Sequence, residues 1–145
     1  MLRLVLTVLL LSLAVIATAC GSESNTYRTQ VDKAQKRCQP RLKPLENQLA
    51  TAIGDRRTED AADLAGQTAS VLSSCASAVS AIDAPSHLKT RAATLVGTYR
   101  SLVTSLQQLK IALHTGDATP INRAIASYND ARLAETSAVA ALNGA

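Results

Sequence analysis

A leucine seam in the second half of the chain constrains the fold more than any other feature. Between residues 88 and 113, apolar side chains alternate steps of four and three residues. This is the heptad spacing with which a helix packs in a bundle or a coiled coil. The seam consists of Leu88, Ala92, Leu95, Tyr99, Leu102, Leu106, Leu109 and Leu113. It predicts a long helix that ends in the turn formed by residues 114–117.

Three further segments have weaker helical patterns. The first covers about residues 26–53, where Pro40 and Pro44 should kink or briefly break the helix. The second begins at residue 58, with Thr58 as its N-cap, and stops before Pro85. The fourth opens with Thr119 as N-cap and a proline after it, and has an Ala-rich stripe. Four helices joined by short loops predict an all-α, up-down-up-down four-helix bundle.

The N-terminus has the organisation of an export signal. Residues 1–3 include a positive charge, residues 4–16 are apolar, and residues 17–22 are small. The apolar run is shorter than the roughly 20 residues that a membrane span needs. We therefore expect a cleaved signal peptide over residues 1–19, a polar tether over residues 20–25 and the bundle domain over residues 26–145.

The sequence Ala17-Thr18-Ala19-Cys20 resembles a bacterial lipobox. The resemblance implies that Cys20 is lipidated, becomes the mature N-terminus and holds the protein on the extracytoplasmic side of the cell membrane. Cleavage by ordinary signal peptidase at the same bond, leaving a free thiol at Cys20, is the alternative. With its tether and Ala-rich helical domain, the chain resembles small uncharacterised actinobacterial helical lipoproteins, a resemblance that implies no activity.

Cys38 and Cys75 remain as an even pair, which in an exported protein indicates a disulfide. Their mean position is 56.5, the centre of the turn between the first two helices, so an antiparallel hairpin places them at the same height. Both also lie on the apolar stripes of their helices. We predict a Cys38–Cys75 disulfide; two separate buried thiols are the alternative.

The sequence lacks the common motifs that carry catalytic or cofactor chemistry. It contains no Glu-x-x-His, no Cys-x-x-Cys-His, no Gly-rich phosphate loop and no Gly-x-Ser-x-Gly. It also has no Trp and no Phe, which disfavours sugar clefts and single-strand nucleic-acid platforms. We expect no enzyme activity, no cofactor, no metal site and no nucleic-acid partner.

Two surfaces are candidates for binding. One is the pair of turns at the end of the bundle away from the expected anchor, which we call the outer turns. They contain Arg56, Arg57 and His114, and exposed turns on a rigid scaffold are where binding residues tend to lie. Residues 33–43 carry five positive charges and no acid. Contact with anionic headgroups or envelope phosphates is one interpretation of this basic run. The other is a solvated face balanced by the acidic second helix, which contains Glu59, Asp60, Asp63 and Asp83.

These features predict a membrane-anchored envelope lipoprotein with a non-catalytic binding or structural role. Its partners would be the membrane, through the lipid on Cys20, and an envelope protein or anionic envelope polymer. The alternative is a carrier or sensor of a small apolar ligand held between the helices. A cavity along the Ala-rich fourth helix would favour the carrier.

Overall fold

The computed structural model describes the chain from residue 21 to residue 144. It is an up-down-up-down bundle of four helices, as the sequence predicts. The expected signal peptide (residues 1–19) and Cys20 lie outside the described residues. The helices are α1 (Leu2–Gly54), α2 (Thr58–Ser80), α3 (Lys89–Thr115) and α4 (Ala118–Asn143), and a short 3₁₀ helix (Ser86–Leu88) precedes α3.

The predicted leucine seam forms the centre of the core. All eight of its members are buried, and Leu88, Leu95, Leu102 and Leu106 have no exposed surface. The seam is continuous because α3 packs against α2 on one side and α4 on the other. Burial of each Leu side chain contributes about 1.5–3 kcal/mol, so this seam makes a large apolar contribution to stability.

Helix α2 buries a wider stripe than its sequence pattern indicates. Besides Thr68, Val71, Cys75 and Val79, which repeat at steps of three and four residues, it buries a set of alanines and one leucine. The reason is that α2 packs against both α1 and α3, and small side chains on its flanks allow both neighbours to approach. The additional buried residues are Ala61, Ala62, Ala65, Ala69, Leu72 and Ala76.

The disulfide between Cys38 and Cys75 is present and joins α1 to α2, with the two Cα atoms 6.1 Å apart. Cys75 is buried and Cys38 is half-buried. Since the two helices are antiparallel, the bond fixes their register: residues whose numbers sum to about 113 lie at the same height. This register determines which side chains of α2 face the basic run of α1.

Helix α1 differs from the sequence prediction in two places. It stays helical through Pro40 and Pro44, where we expected a kink or a break. Both prolines are exposed, so the carbonyl groups that lose a hydrogen bond can bind water while the opposite face packs on the core. Residues 21–25, expected to form a polar tether, are also helical, because Ser24 and Tyr27 are buried against the bundle.

The helix ends also correct two predicted caps. Thr58 is the first residue of α2 and not its N-cap; that position is held by Arg57, without a capping hydrogen bond from its side chain. In α4 the N-cap is Asp117, whose Oδ1 accepts a hydrogen bond of 2.9 Å from the Thr119 backbone nitrogen. Asp117 reaches that donor because Gly116, with φ of 69°, ends α3 in the left-handed conformation.

Candidate interaction surfaces

The three residues predicted to form an outer interaction surface lie on turns at one end of the bundle. Arg57 is committed to ion pairs, at 2.7 Å with Asp60 and 3.4 Å with Asp55. Arg56 has a positive φ of 57°, and both it and His114 are exposed. Within residues 21–144, no hydrogen bond or ion pair links these three side chains to one another. This end therefore offers two separate arginines, one of them already ion-paired, and an exposed histidine.

Charge is distributed unevenly along the bundle axis. We define the near half, which contains the start of the described chain, as residues 21–41, 71–101 and 131–144; residues 42–70 and 102–130 form the far half. The near half has nine Lys and Arg residues against four Asp and Glu, a net charge of +5. The far half has five against seven, a net charge of −2. The weak overall charge therefore conceals a strongly basic end.

A groove of about 440 Å³ runs between α1 and α2 in the near half. Its floor is the disulfide together with apolar side chains that include Ala34, Val71 and Ile82. Its rim on α1 is Lys33, Arg37 and Arg41, all exposed. These cations are four residues apart, so they rise by about 6 Å per step along one side of the helix. We call this feature the basic groove.

The basic groove is not balanced by the acidic residues of α2, which corrects one of the two interpretations of the basic run. The register set by the disulfide places residues 72–80 opposite the rim, and residues 64–82 contain no charged side chain. The acids at residues 59–63 lie instead opposite residues 50–54, and Asp83, beyond the end of α2, lies opposite residue 30, outside the span of the rim. Among the described residues, the three rim cations form no ion pair. Lys36, outside the rim, pairs with Asp32 of its own helix at 2.7 Å.

The neutral stretch of α2 presents a row of exposed serines, Ser73, Ser77 and Ser80, which we call the serine face. Ser77 and Ser80 donate hydrogen bonds of 3.0 Å to backbone carbonyls of their own helix, so their lone pairs face outward. On the other side of this face, Arg100 of α3 lines a second groove of about 280 Å³ with the same three serines. The serine face is thus flanked by cations from both neighbouring helices.

A polar network, which sequence reasoning missed, connects α1 to α4. Glu46 accepts hydrogen bonds from the Tyr128 hydroxyl and from Arg132 Nη2, and Arg132 Nη1 donates to Glu135 Oε2 at 2.7 Å. The Arg132 guanidinium also lies 5.8 Å from the centre of the Tyr128 ring. Glu46 is separated from Tyr128 and Arg132 by 82 and 86 residues in sequence. The single sequence signal for their contact was that the two helices carry opposite charges.

Burial and these hydrogen bonds shift the ionisation of the network. Burial raises the pKa of Tyr99 to about 12, despite a hydrogen bond of 3.0 Å from Gln35 Nε2 to its hydroxyl. Burial and then the Glu46 carboxylate raise the pKa of Tyr128. Burial alone would lower the pKa of Arg132, but its Tyr128, Glu135 and Glu46 neighbours outweigh burial and raise it. At neutral pH the network holds neutral tyrosines and a charged Arg132.

The same network borders a cavity of about 580 Å³ between α1 and α4. Its wall is largely polar and includes Gln39, Lys43 and Asn47 of α1 with Thr136 of α4. Charged and amide side chains are suited to a polar solute and not to an apolar one. The carboxylate and guanidinium groups that face it are already paired with each other.

Within residues 21–144, no group of three His, Cys, Asp or Glu side chains is placed to hold a metal ion. None of the helices, over that same range, combines the length and apolar character required to cross a membrane. Comparison with known proteins returned no matching family model, no matching curated protein and no matching solved structure.

Proposed function

We propose that this protein is a lipid-anchored, non-catalytic envelope protein that binds an anionic component of the envelope through its basic groove. The lipobox at residues 17–20 supports export and anchoring on the extracytoplasmic side of the membrane. The Cys38–Cys75 disulfide fits an oxidising compartment. The basic groove supplies the binding surface.

The observation that carries the proposal is the uncompensated positive charge of Lys33, Arg37 and Arg41. Three like charges at successive i, i+4 positions repel one another, which destabilises a helix by a few tenths of a kcal/mol per pair. An ordinary solvated face would place acids beside them, as Asp32 lies beside Lys36. Here the disulfide aligns them with a neutral face, so an anionic partner would find the cations unpaired.

The alternative function, a carrier or sensor of a small apolar ligand, has weaker support. A cavity does run along α4, but its wall is largely polar, and its Glu46, Arg132 and Glu135 side chains are paired with one another. The apolar interior is a contiguous set of buried side chains extending from Tyr27 to Leu142. These features favour an interaction surface on the outside of the bundle over a ligand chamber within it.

The test compares two variants that remove the same number of charges. Lys33, Arg37 and Arg41 are replaced together by Gln in the groove variant, and Arg56, Arg57 and Arg123 in the control variant. All six side chains are exposed, so both variants should fold and retain the disulfide. Partners are captured by cross-linking intact envelopes, followed by affinity purification and analysis of both proteins and anionic polymers or lipids.

We expect the groove variant to lose the partners that the wild-type protein captures, while the control variant retains them. Loss in the control variant alone would instead assign binding to the outer turns around Arg56, Arg57 and His114. Equal profiles in all three proteins would contradict the proposed function. Melting temperatures, measured alongside, establish that any loss is not due to unfolding.

A further inference from the structure

We propose that the anionic component is the headgroup layer of the membrane itself, and that the bundle lies on this layer with its serine face toward the lipid. This inference rests on the proposed function, since it names the partner of the same basic groove. The anionic groups recognised would be the phosphates of acidic phospholipids next to the lipidated Cys20.

The arrangement of cations favours a flat surface over a linear partner. Lys33, Arg37 and Arg41 lie on the α1 side of the serine face, and Arg100 lies on the α3 side. Lys89 is two turns before Val96, which lines the same groove as Arg100, so it lies on the same flank of α3. A single acidic helix or polymer strand in the basic groove would engage the α1 cations and leave those of α3 unused. A planar anionic layer engages both sides.

The serine face suits contact with headgroups because it carries no acid of its own; Asp83, the nearest in sequence, follows the end of α2. No acid occurs in residues 64–82, and the serine hydroxyls keep lone pairs facing outward for hydration. In the far half, Glu46 is paired with Arg132, and the acids of α2 at residues 59–63 lie opposite residues 50–54, at least about 13 Å from Arg41 along the helix axis. That separation exceeds the Debye length of about 8 Å at physiological salt, so they would weaken the attraction little.

With the chain anchored at Cys20, a modest electrostatic attraction is sufficient to hold the near half on the headgroup layer. Each Lys or Arg near an anionic leaflet strengthens attachment by about fivefold, so three rim cations supply about 100-fold. Because Cys20 adjoins the first described residue of α1, lipidation would keep the near half beside the bilayer at high effective concentration. The far half, with its net charge of −2, would gain nothing from approaching the same surface.

The first experiment measures vesicle binding without the lipid anchor. It uses the mature chain, residues 20–145, carrying Cys20→Ser; every buried residue that the structure describes lies within this chain, between Ser24 and Leu142. Co-sedimentation is measured with vesicles of phosphatidylglycerol and phosphatidylcholine in equal amounts and with pure phosphatidylcholine, at 0.1 M and at 1 M salt. The groove and control variants defined above are measured in the same background.

We expect binding to the anionic vesicles at 0.1 M salt, loss of this binding at 1 M salt, and no binding to phosphatidylcholine. The partition coefficient should fall about 100-fold in the groove variant and by less than about fivefold in the control variant. Equal binding to both lipids, or equal losses in both variants, would overturn the inference.

The second experiment tests the orientation. A nitroxide label is placed in the Cys20→Ser chain either at Ser77→Cys, on the serine face, or at Leu133→Cys, on α4 across the bundle from α2. Leu133 is 69% exposed, so both labels should be tolerated. On anionic vesicles, the label at residue 77 should be broadened by a headgroup-bound relaxation agent, and the label at residue 133 should not. The reverse pattern, or equal broadening, would contradict the orientation.

Failure of this inference can be told apart from failure of the proposed function. If vesicles do not bind but the groove variant still loses envelope proteins or an anionic polymer in the cross-linking test, the function stands and the membrane is not the partner. If vesicles do not bind and the cross-linked partners are the same in all variants, both proposals fail.

Discussion

Reduction of the Cys38–Cys75 disulfide should destabilise the bundle by several kcal/mol. The bond closes a loop with a sequence separation of 37 residues. In the chain-entropy model, such a loop reduces the entropy of the unfolded chain by about 13 cal/mol/K, or about 4 kcal/mol at 25 °C. For a domain of this size, each kcal/mol corresponds to roughly 4 °C in melting temperature, so the expected decrease is about 15 °C. Reduction is preferable to substitution because it retains both sulfur atoms and leaves almost no cavity around the buried Cys75.

The assay is thermal and urea unfolding of the mature chain with and without a reductant, followed by circular dichroism at 222 nm. The Cys20→Ser background removes the third thiol, and peptide mapping without reduction verifies the pairing. A matched control adds the same reductant to a Cys38→Ala/Cys75→Ala variant, whose melting temperature should not respond. A decrease below about 5 °C in the disulfide-bonded protein, or free thiols at both positions in protein isolated from the envelope, would refute the reasoning.

Three further predictions concern the core, the polar network and the anchor. Leu102→Ala should reduce the free energy of unfolding by about 2–5 kcal/mol in urea titrations, because it opens a cavity in the seam; Leu133→Ala, at an exposed position, should change it by less than about 0.5 kcal/mol. Because the pKa of Tyr99 is raised to about 12 from 10.0, the folded protein should lose stability as the pH rises through that interval, and none of this contribution is lost below pH 10. Between pH 9 and pH 11.5, the wild-type protein should lose about 2 kcal/mol more than Tyr99→Phe does. Cys20→Ser in the full-length chain should move the protein out of the membrane fraction or stall its processing, as cell fractionation will show.

Each of these has a contrary outcome. Equal losses for the two leucine substitutions would mean that the seam is not the main core. Parallel pH profiles for wild type and Tyr99→Phe would mean that the hydroxyl ionises without opposing folding. Normal processing with unchanged membrane association in Cys20→Ser would contradict lipid anchoring.

The helices that pack on two neighbours were the ones predictable from sequence. The seam of α3 was predicted residue by residue, because a central helix has to bury one unbroken stripe and leucine repeats mark it. The disulfide was predictable because antiparallel geometry converts the spacing of Cys38 and Cys75 into equal height. In α2, the pattern of larger side chains gave the centre of the stripe, and the flanking alanines were missed because alanine is equally common on exposed helical surfaces.

The incorrect predictions arose where tertiary packing or a neighbouring residue outweighed a local sequence preference. Pro40 and Pro44 suggested a break, but packing of the opposite face of α1 and the disulfide at Cys38 keep the helix continuous. Asp117 and Thr119 are both good N-cap residues, and the conformation of Gly116 decided between them. The first helix is basic and the second acidic, as expected, but most of the acids lie at a different height along the bundle axis from the basic run. The net charge of a helix does not show where along the axis its charges lie.

The polar network between α1 and α4 was beyond sequence reasoning for a different reason. Glu46 and Arg132 belong to helices without a strong apolar stripe at their contact, so no periodicity marks the two positions as neighbours. Tyr99 belongs to the predicted seam and Tyr128 to the fourth helix, and both hydroxyls are hydrogen-bonded. Their partners could be identified only once the helices were assembled.

The position of the disulfide also determines how the bundle would respond to a pull on the proposed lipid anchor at Cys20. Tension applied at Cys20 would enter through α1, and the segment from Gly21 to Arg37 is held to the rest by noncovalent contacts such as the Arg28 hydrogen bond to the Leu142 carbonyl. At Cys38 the load passes through a covalent bond into α2. Unzipping would therefore stop at Cys38, removing Lys33 and Arg37 from the basic groove while α2, α3 and α4 stay together. Under the proposed anchoring and membrane contact, a pull that extracts the anchor would therefore also withdraw Lys33 and Arg37 from the headgroup layer.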